Sequence, residues 1–218
     1  KAFAGLTAPG NPAMLLLPRD EKWLSDPALG SVPDDPDPEG AGKILEAAGY
    51  VKDGDFYAKD GERLSIDLFS PDGWTDYNDT AKLISESAAK AGIEVRYRTV
   101  SENDYWDPMG TGDFQMVLQG ITQSLVPDPF TVYHDFYSTE RTIAVGDWPN
   151  GSNYARYSNA EVDAAVKKAG TTDDEAVKKE AYAVIQKNIA QDLPYIPIVT
   201  NASQAFYNVK NFTGWPTE

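Results

Sequence analysis

"LSIDLFSPDGWTDYNDTAKLISESAAKAGIEVRYRTV", Leu64 to Val100, decides the fold. Leu64 to Phe69 reads as a strand. The Ser-Pro-Asp-Gly-Trp loop interrupts it, and a helix then runs to about Ala91 with Tyr77, Ala81, Ile84, Ala88 and Ala91 on one face and Gly92 as its stop. Ile93 to Val100 alternates as a second strand. A strand, a helix and a strand within so few residues demand a crossover, and a crossover makes the two strands parallel.

Working outward, the pattern continues. Ser101 caps a short helix, "ENDYWDPM", which Pro108 is expected to limit, and Phe114 to Gln119 is the next strand. Upstream, "YVKDGDFYAKDGERLSIDLFS" contains a hairpin around "KDG". Before it stands a helix with Asp37 as N-cap, Pro38 at its first position, an apolar stripe of Ile44, Leu45 and Ala48, and Gly49 closing it. Downstream, Ser158 with Glu161 and Thr172 with Glu175 match the capping box. The second of these helices carries Val177, Ala181, Val184, Ile185 and Ile189 at helical spacing, and "PYIPIVT" and "QAFYNV" read as two further strands. The expected class is α/β, a mostly parallel sheet flanked by helices. Residues 1–36 are Pro-rich and aperiodic, an irregular arm packed on the lobe. The lobe itself is expected over residues 37–210.

Composition narrows the function. The chain of 218 residues is 41% hydrophobic, ordinary for a real core, and carries a formal charge of −15. That charge argues against nucleic acid and against anionic lipid, both of which need a basic surface. Cysteine is absent, so neither a disulfide framework nor a thiolate metal site exists. The longest apolar run is far too short to span a bilayer, and "KAFAGLTAPGNP" has no signal-peptide core.

Chemistry finds little support. His134 is the only histidine, and there is no G-x-S-x-G elbow, P-loop or G-x-G-x-x-G. The acidic turn "PDDPDPEG" fits no calcium loop. No metal or other cofactor is expected. A glycosidase-type carboxylate pair stays open, although nothing singles out two of the 34 acidic residues.

What remains is recognition. In parallel α/β sheets the ligand lies beyond the carboxyl ends of the strands, and two loops qualify: "SPDGWTDYND" and "GITQSLVPDP". Trp74, Trp106 and Trp148 sit in Gly-, Pro-, Asp- and Asn-rich surroundings where a large ring often serves binding. Uncharged Gln119, Thr122, Gln123 and Asn153 suit a neutral polyhydroxylated ligand, because an amide bonds hydroxyls as donor and as acceptor. Trp74 is the candidate ring for stacking on a sugar, with Asp76 and Tyr77 as weaker candidates.

Several stretches together resemble the family 5 extracellular solute-binding proteins of ABC importers, which capture dipeptides, oligopeptides, nickel or oligosaccharides. They are "DPDPEGAGKILEAAGY", "AKAGIEVRYRTVSENDYW", "GDFQMVLQG", "NYARYSNAEVDAAVKKA" and "QKNIAQDLPYIPIV". The resemblance implies one lobe of a type II periplasmic-binding fold, with residues 211–218 starting the return to an absent first lobe. It implies a non-enzymatic, extracytoplasmic carrier, periplasmic or a cell-surface lipoprotein, whose partners are the missing N-terminal lobe, ABC permease subunits and a small solute. "GWTDYND" and "NFTGWPTE" resemble the cellobiose and β-oligosaccharide binders. Peptide-binding relatives place an aspartate four residues before the loop proline, where it pairs with the peptide amine; here Leu125 stands four before Pro129. An oligosaccharide, such as a cello-oligosaccharide, is therefore the expected solute, with a di- or oligopeptide as the alternative and a glycoside hydrolase behind both.

Overall fold

The structure is a computed structural model and describes residues 7–26, 35–148, 151–201, 210–211 and 213–214. In chain order the elements are β1 (Thr7–Pro9), α1 (Pro38–Ala47), β2 (Val51–Asp53), β3 (Phe56–Lys59), β4 (Glu62–Arg63), β5 (Ser65–Pro71), α2 (Thr75–Lys90), β6 (Glu94–Val100), α3 (Glu102–Thr111), β7 (Met116–Val117), α4 (Phe130–Tyr137), α5 (Ala160–Gly170), α6 (Glu175–Asp192) and β8 (Val199–Asn201).

β5 is the central strand of a parallel sheet ordered β6-β5-β7. It pairs with β6 along its full length, from Ser65 opposite Glu94 to Pro71 opposite Val100, and with β7 at Leu68 and Phe69. Successive side chains of β5 alternate between two helical layers. Leu68 packs with Ala81 of α2, Val95 and Leu118. Phe69 packs with Tyr105 and Met109 of α3. One helix therefore covers each face, and the strand order reverses at β5.

The remaining strands lie outside this sheet. β2, β3 and β4 form an antiparallel meander with two turns, one more than the single hairpin expected, because both Lys-Asp-Gly triplets supply a positive-φ glycine, Gly54 and Gly61. β8 pairs antiparallel with β1, so the late strand expected in "PYIPIVT" begins only at Val199 and closes onto the arm. "QAFYNV" lies outside the described residues.

The largest core is helical. Val132, Tyr133, Phe136 and Tyr137 of α4 meet Val162 and Val166 of α5 and Tyr182, Ile185 and Ile189 of α6. Ala13, Leu15 and Trp23 of the Pro-rich arm are buried in the same cluster, so this part of the arm is core rather than a cover. Asn11 brackets Leu15 with a bond to its carbonyl (2.7 Å) and one from its amide (3.2 Å), which holds the irregular backbone in place of a ladder.

Several local expectations are corrected. Asp37 does cap α1, accepting from the Gly40 amide, and Pro38 takes the first position. The stripe of α1, however, does not face a core: Ile44 is 72% exposed and Ala48 is exposed as well, because among the described residues it is the small β2–β4 meander that lies beside this helix. α3 runs through Pro108 to Thr111, since burial of Tyr105 and Met109 and the left-handed cap at Gly112 outweigh one missing amide. β7 is only two residues long. The caps of α5 and α6 are Asn159 and Asp174 rather than Ser158 and Thr172; each side-chain oxygen accepts from two backbone amides, and the carboxamide and carboxylate are at least as good caps as the hydroxyls beside them. Val184 faces outward, and Tyr182 and Gln186 join Ala181, Ile185 and Ile189 on the buried face of α6.

Candidate functional site

The candidate site lies past the carboxyl ends of β5 and β7, where the strand order reverses. Asp72 continues the strand for one bond, its amide donating to the Val100 carbonyl at 2.7 Å. Gly73 then turns with φ +79°. That turn delivers Trp74 to the N-cap of α2, where its carbonyl accepts from the Asn78 amide at 3.0 Å. Buried Ser70 ties the end of β5 to the first turn of the helix, donating to Asn78 Oδ1 at 2.7 Å.

Trp74 is held by rings rather than by hydrogen bonds of its indole. It meets Tyr77 edge to face (5.1 Å, 86°) and tilts against Tyr105 (6.2 Å, 43°), while 36% of the residue stays exposed. Tyr105 is buried and its hydroxyl donates to the Leu118 carbonyl at 2.6 Å, bolting α3 to the end of β7. Burial first, and then the neighbouring Tyr77 and Tyr154, push the Tyr105 phenol far above its ordinary range. Tyr77 is shifted upward too, by burial and then by Asp76. Both phenols are therefore neutral hydrogen-bonding groups.

Gly120 completes the contact between the two loops. A Cβ at this position would sit 3.1 Å from the Tyr77 hydroxyl, so the bare backbone lets the phenol approach. Trp74 at the end of one loop, Asp76 and Tyr77 in the first turn of α2, and Gly120 of the other loop, with Gln119 just before it in the chain, thus come to one edge. Thr122 and Gln123 follow on the same loop, Thr122 exposed and Gln123 half-buried. The arm fixes this loop from behind: Arg19 donates to the Ser124 carbonyl (2.7 Å) and the Trp23 indole to the Pro127 carbonyl (2.8 Å). Arg19 and Tyr105 were not among the expected site residues. Tyr105 carried a signal, an aromatic pair with Trp106 in a capped helix at the sheet's edge; Arg19 carried none.

Asn153 does not belong to the site. It is wholly buried, and its amide donates to the carbonyls of Ser138 (2.9 Å) and Tyr157 (2.8 Å) while its oxygen accepts from the Tyr157 amide (3.0 Å). Its hydrogen-bonding groups are engaged in holding an irregular turn.

The single carboxylate of the loop from Leu118 to Pro129 is also engaged. Asp128 accepts from Lys178 at 2.7 Å, from the Tyr182 hydroxyl and from the Phe130 amide. Burial works against its ionisation, but these three donors prevail and hold its pKa below the ordinary carboxylate value. Leu125, by contrast, stands fully exposed. His134 stacks on Phe130, with Asp135 on one ring nitrogen and Glu140 on the other, each at 2.7 Å.

A depression of about 360 Å³ on the α3 side of the sheet is lined by Asp67, Phe69, Arg98, Asp113, Phe114 and Gln115 together with Gly112. At the candidate site itself, Trp74 is partly exposed and Thr122 is exposed.

Comparison with known proteins agrees with this fold. The family described as bacterial extracellular solute-binding proteins, family 5 Middle, matches residues 4–144, and the chain belongs to it. Protein XP55 of Streptomyces lividans is 30% identical over 217 residues, covering 98% of this chain and 37% of that protein. The oligopeptide-binding protein AppA of Bacillus subtilis is 31% identical over 139 residues, 63% of this chain and 24% of its own length. Among solved structures, a mannohexaose-bound periplasmic oligopeptide-binding protein of an ABC transporter from Thermotoga maritima superposes with a TM-score of 0.84 at 25% identity, covering 93% of this chain and 38% of that one. The chain therefore spans less than two-fifths of the length of these relatives.

Proposed function

We propose that this chain is a ligand-holding lobe of the solute-binding component of an ABC importer, working outside the cytoplasm, and that its solute is a neutral oligosaccharide such as a cello-oligosaccharide. Trp74 carries the reading: an indole fixed by two tyrosines and left open at the carboxyl edge of a parallel sheet offers a flat apolar face to a pyranose ring. Around it, Gln119, Thr122 and Gln123 present uncharged groups for hydroxyls, with Tyr77 and Asp76 beside them. A carrier needs binding and closure, not bond-breaking, and the partly exposed edge suits a site completed by another lobe of the protein.

The charge pattern of the second loop supports a neutral guest. A peptide's ammonium buried there needs an anion, since an unpaired buried charge costs several kcal/mol, on the order of a thousandfold in affinity. Asp128 already serves Lys178 and Tyr182, and position 125 is leucine. The mannohexaose held by the Thermotoga relative points the same way. An oligopeptide is the second reading, favoured by the AppA relative, whose solved structure holds a nonapeptide (27% identity, TM-score 0.63).

The test is a titration of the full-length protein with cello- and manno-oligosaccharides and with peptides, read by tryptophan fluorescence and calorimetry. Saturable binding of sugar that Trp74→Ala abolishes is expected. A response to peptides alone would overturn the oligosaccharide assignment.

A further inference from the structure

Two of the three tryptophans noted in the sequence take no part in the site described so far. Trp106 lies in the second turn of α3 and is 41% exposed; Trp148 is 50% exposed. Neither is isolated. The Trp106 ring packs edge to face on Tyr105 with centroids 4.9 Å apart, and the Tyr105 ring also meets Trp74, tilted, at 6.2 Å. Buried Tyr105 thus contacts two indoles that both reach solvent, and its bond to the Leu118 carbonyl fixes it.

The strip continues along the helix. Gly110 is one turn beyond Trp106 on the same face. It is bare so that Trp148 can lie flat on the helix: a Cβ there would meet the indole at 2.3 Å. Glu102 and Asn103, one turn before Trp106, are exposed and bring a carboxylate and a carboxamide to the same flank. Exposed rings in series with hydrogen-bonding groups beside them are not a core edge. A core edge buries its rings against apolar neighbours, whereas these expose roughly half of each indole while the buried packing is done by Tyr105 and Met109.

The geometry points to an extended ligand track: Trp106, with Trp148 beyond it, forms a second stacking platform on α3 that holds the distal rings of an oligosaccharide whose first ring rests on Trp74. This rests on the oligosaccharide reading and adds to it a length preference. A disaccharide fills only the Trp74 end, whereas a longer chain runs from the sheet's edge down the flank of α3, with Glu102 and Asn103 bonding its hydroxyls.

The experiment compares the wild-type full-length protein with Trp106→Ala, Trp106→Phe and Trp148→Ala by calorimetry, using cellobiose, cellohexaose, mannobiose and mannohexaose as probes. Circular dichroism and the thermal midpoint establish that each variant is folded. The expected result is that Trp106→Ala keeps wild-type affinity for the disaccharide within about twofold and loses about tenfold for the hexasaccharide. Trp106→Phe recovers most of the loss, and Trp148→Ala shows a smaller loss confined to the hexasaccharide. Equal losses for both lengths would make Trp106 a structural residue and overturn the track. An unchanged hexasaccharide affinity would also overturn it, as expected if another part of the protein covers these rings, while leaving the Trp74 site standing. Failure of the wild-type protein to bind any of the four sugars would instead remove the oligosaccharide reading itself, and the track with it.

Discussion

At the scale of single residues, the side chains divide by whether their hydrogen bonds are already used. Asn153 and Asp128 look alike in sequence to Gln119 and Gln123, polar groups beside turns. The first pair is consumed by the fold. Asp128→Asn keeps the size but weakens the bonds from Lys178 and Tyr182, and is expected to cost about 1–3 kcal/mol at neutral pH, measured by urea unfolding. The sign of its pH dependence follows from a folded-state pKa depressed below the unfolded value of about 3.9. The stabilisation is complete above that unfolded value and disappears as pH falls through the lower folded one, so the gap in unfolding midpoint between wild type and variant closes on acidification. Gly120→Val tests the approach of Tyr77: the added side chain has 3.1 Å or less to the phenol, so it is expected to displace Tyr77 and, on the proposed function, to weaken binding of the sugar with little change in the unfolding midpoint.

At the scale of elements, the helix caps and the arm carry the predictions. Asn159→Ala and Asp174→Ala each leave two first-turn amides without their acceptor and are expected to lose about 1 kcal/mol, whereas alanine at Ser158 or Thr172 costs less. Thermal unfolding distinguishes the pairs. In the arm, Trp23→Ala removes a buried ring that packs edge to face on Tyr182 at 5.3 Å and donates to the Pro127 carbonyl. The expected loss is about 3–5 kcal/mol. Because the same indole and Arg19 hold the loop from Ser124 to Pro127, hydrogen exchange at Val126 and Asp128 is expected to speed up more than exchange in α2, which the arm does not hold. That difference separates loop release from global destabilisation.

At the scale of the whole molecule, the proposed function makes a definite demand. On the proposed function, rings and amides at one edge of one lobe would exclude water from a single side of a sugar, so the chain alone is expected to bind oligosaccharide at least about a hundredfold more weakly than the full-length protein, a difference of about 3 kcal/mol that calorimetry on both resolves. Equal affinities would show this edge to be a complete site by itself.

The parallel sheet and its two layers were legible in the run from Leu64 to Val100, because alternation at period two and an apolar stripe at helical spacing are properties of local sequence that no partner is needed to reveal. The loops at the carboxyl edge followed from that topology, and so did the candidacy of Trp74, Tyr77 and Gln119. Three other matters were decided only in three dimensions. Ile44 and Val184 carry the correct spacing yet face solvent, since a stripe states which residues share a face and not whether anything covers it. Asn153 is spent on Ser138 and Tyr157, partners that become neighbours only when an irregular turn closes. Tyr105 joins Trp74 to Trp106 through a contact between segments some thirty residues apart. Local sequence sets periodicity and caps, because those energies act within a few residues along the chain; which groups remain free to meet a ligand is set by tertiary packing, because a hydrogen bond or a covered ring depends on what arrives from elsewhere.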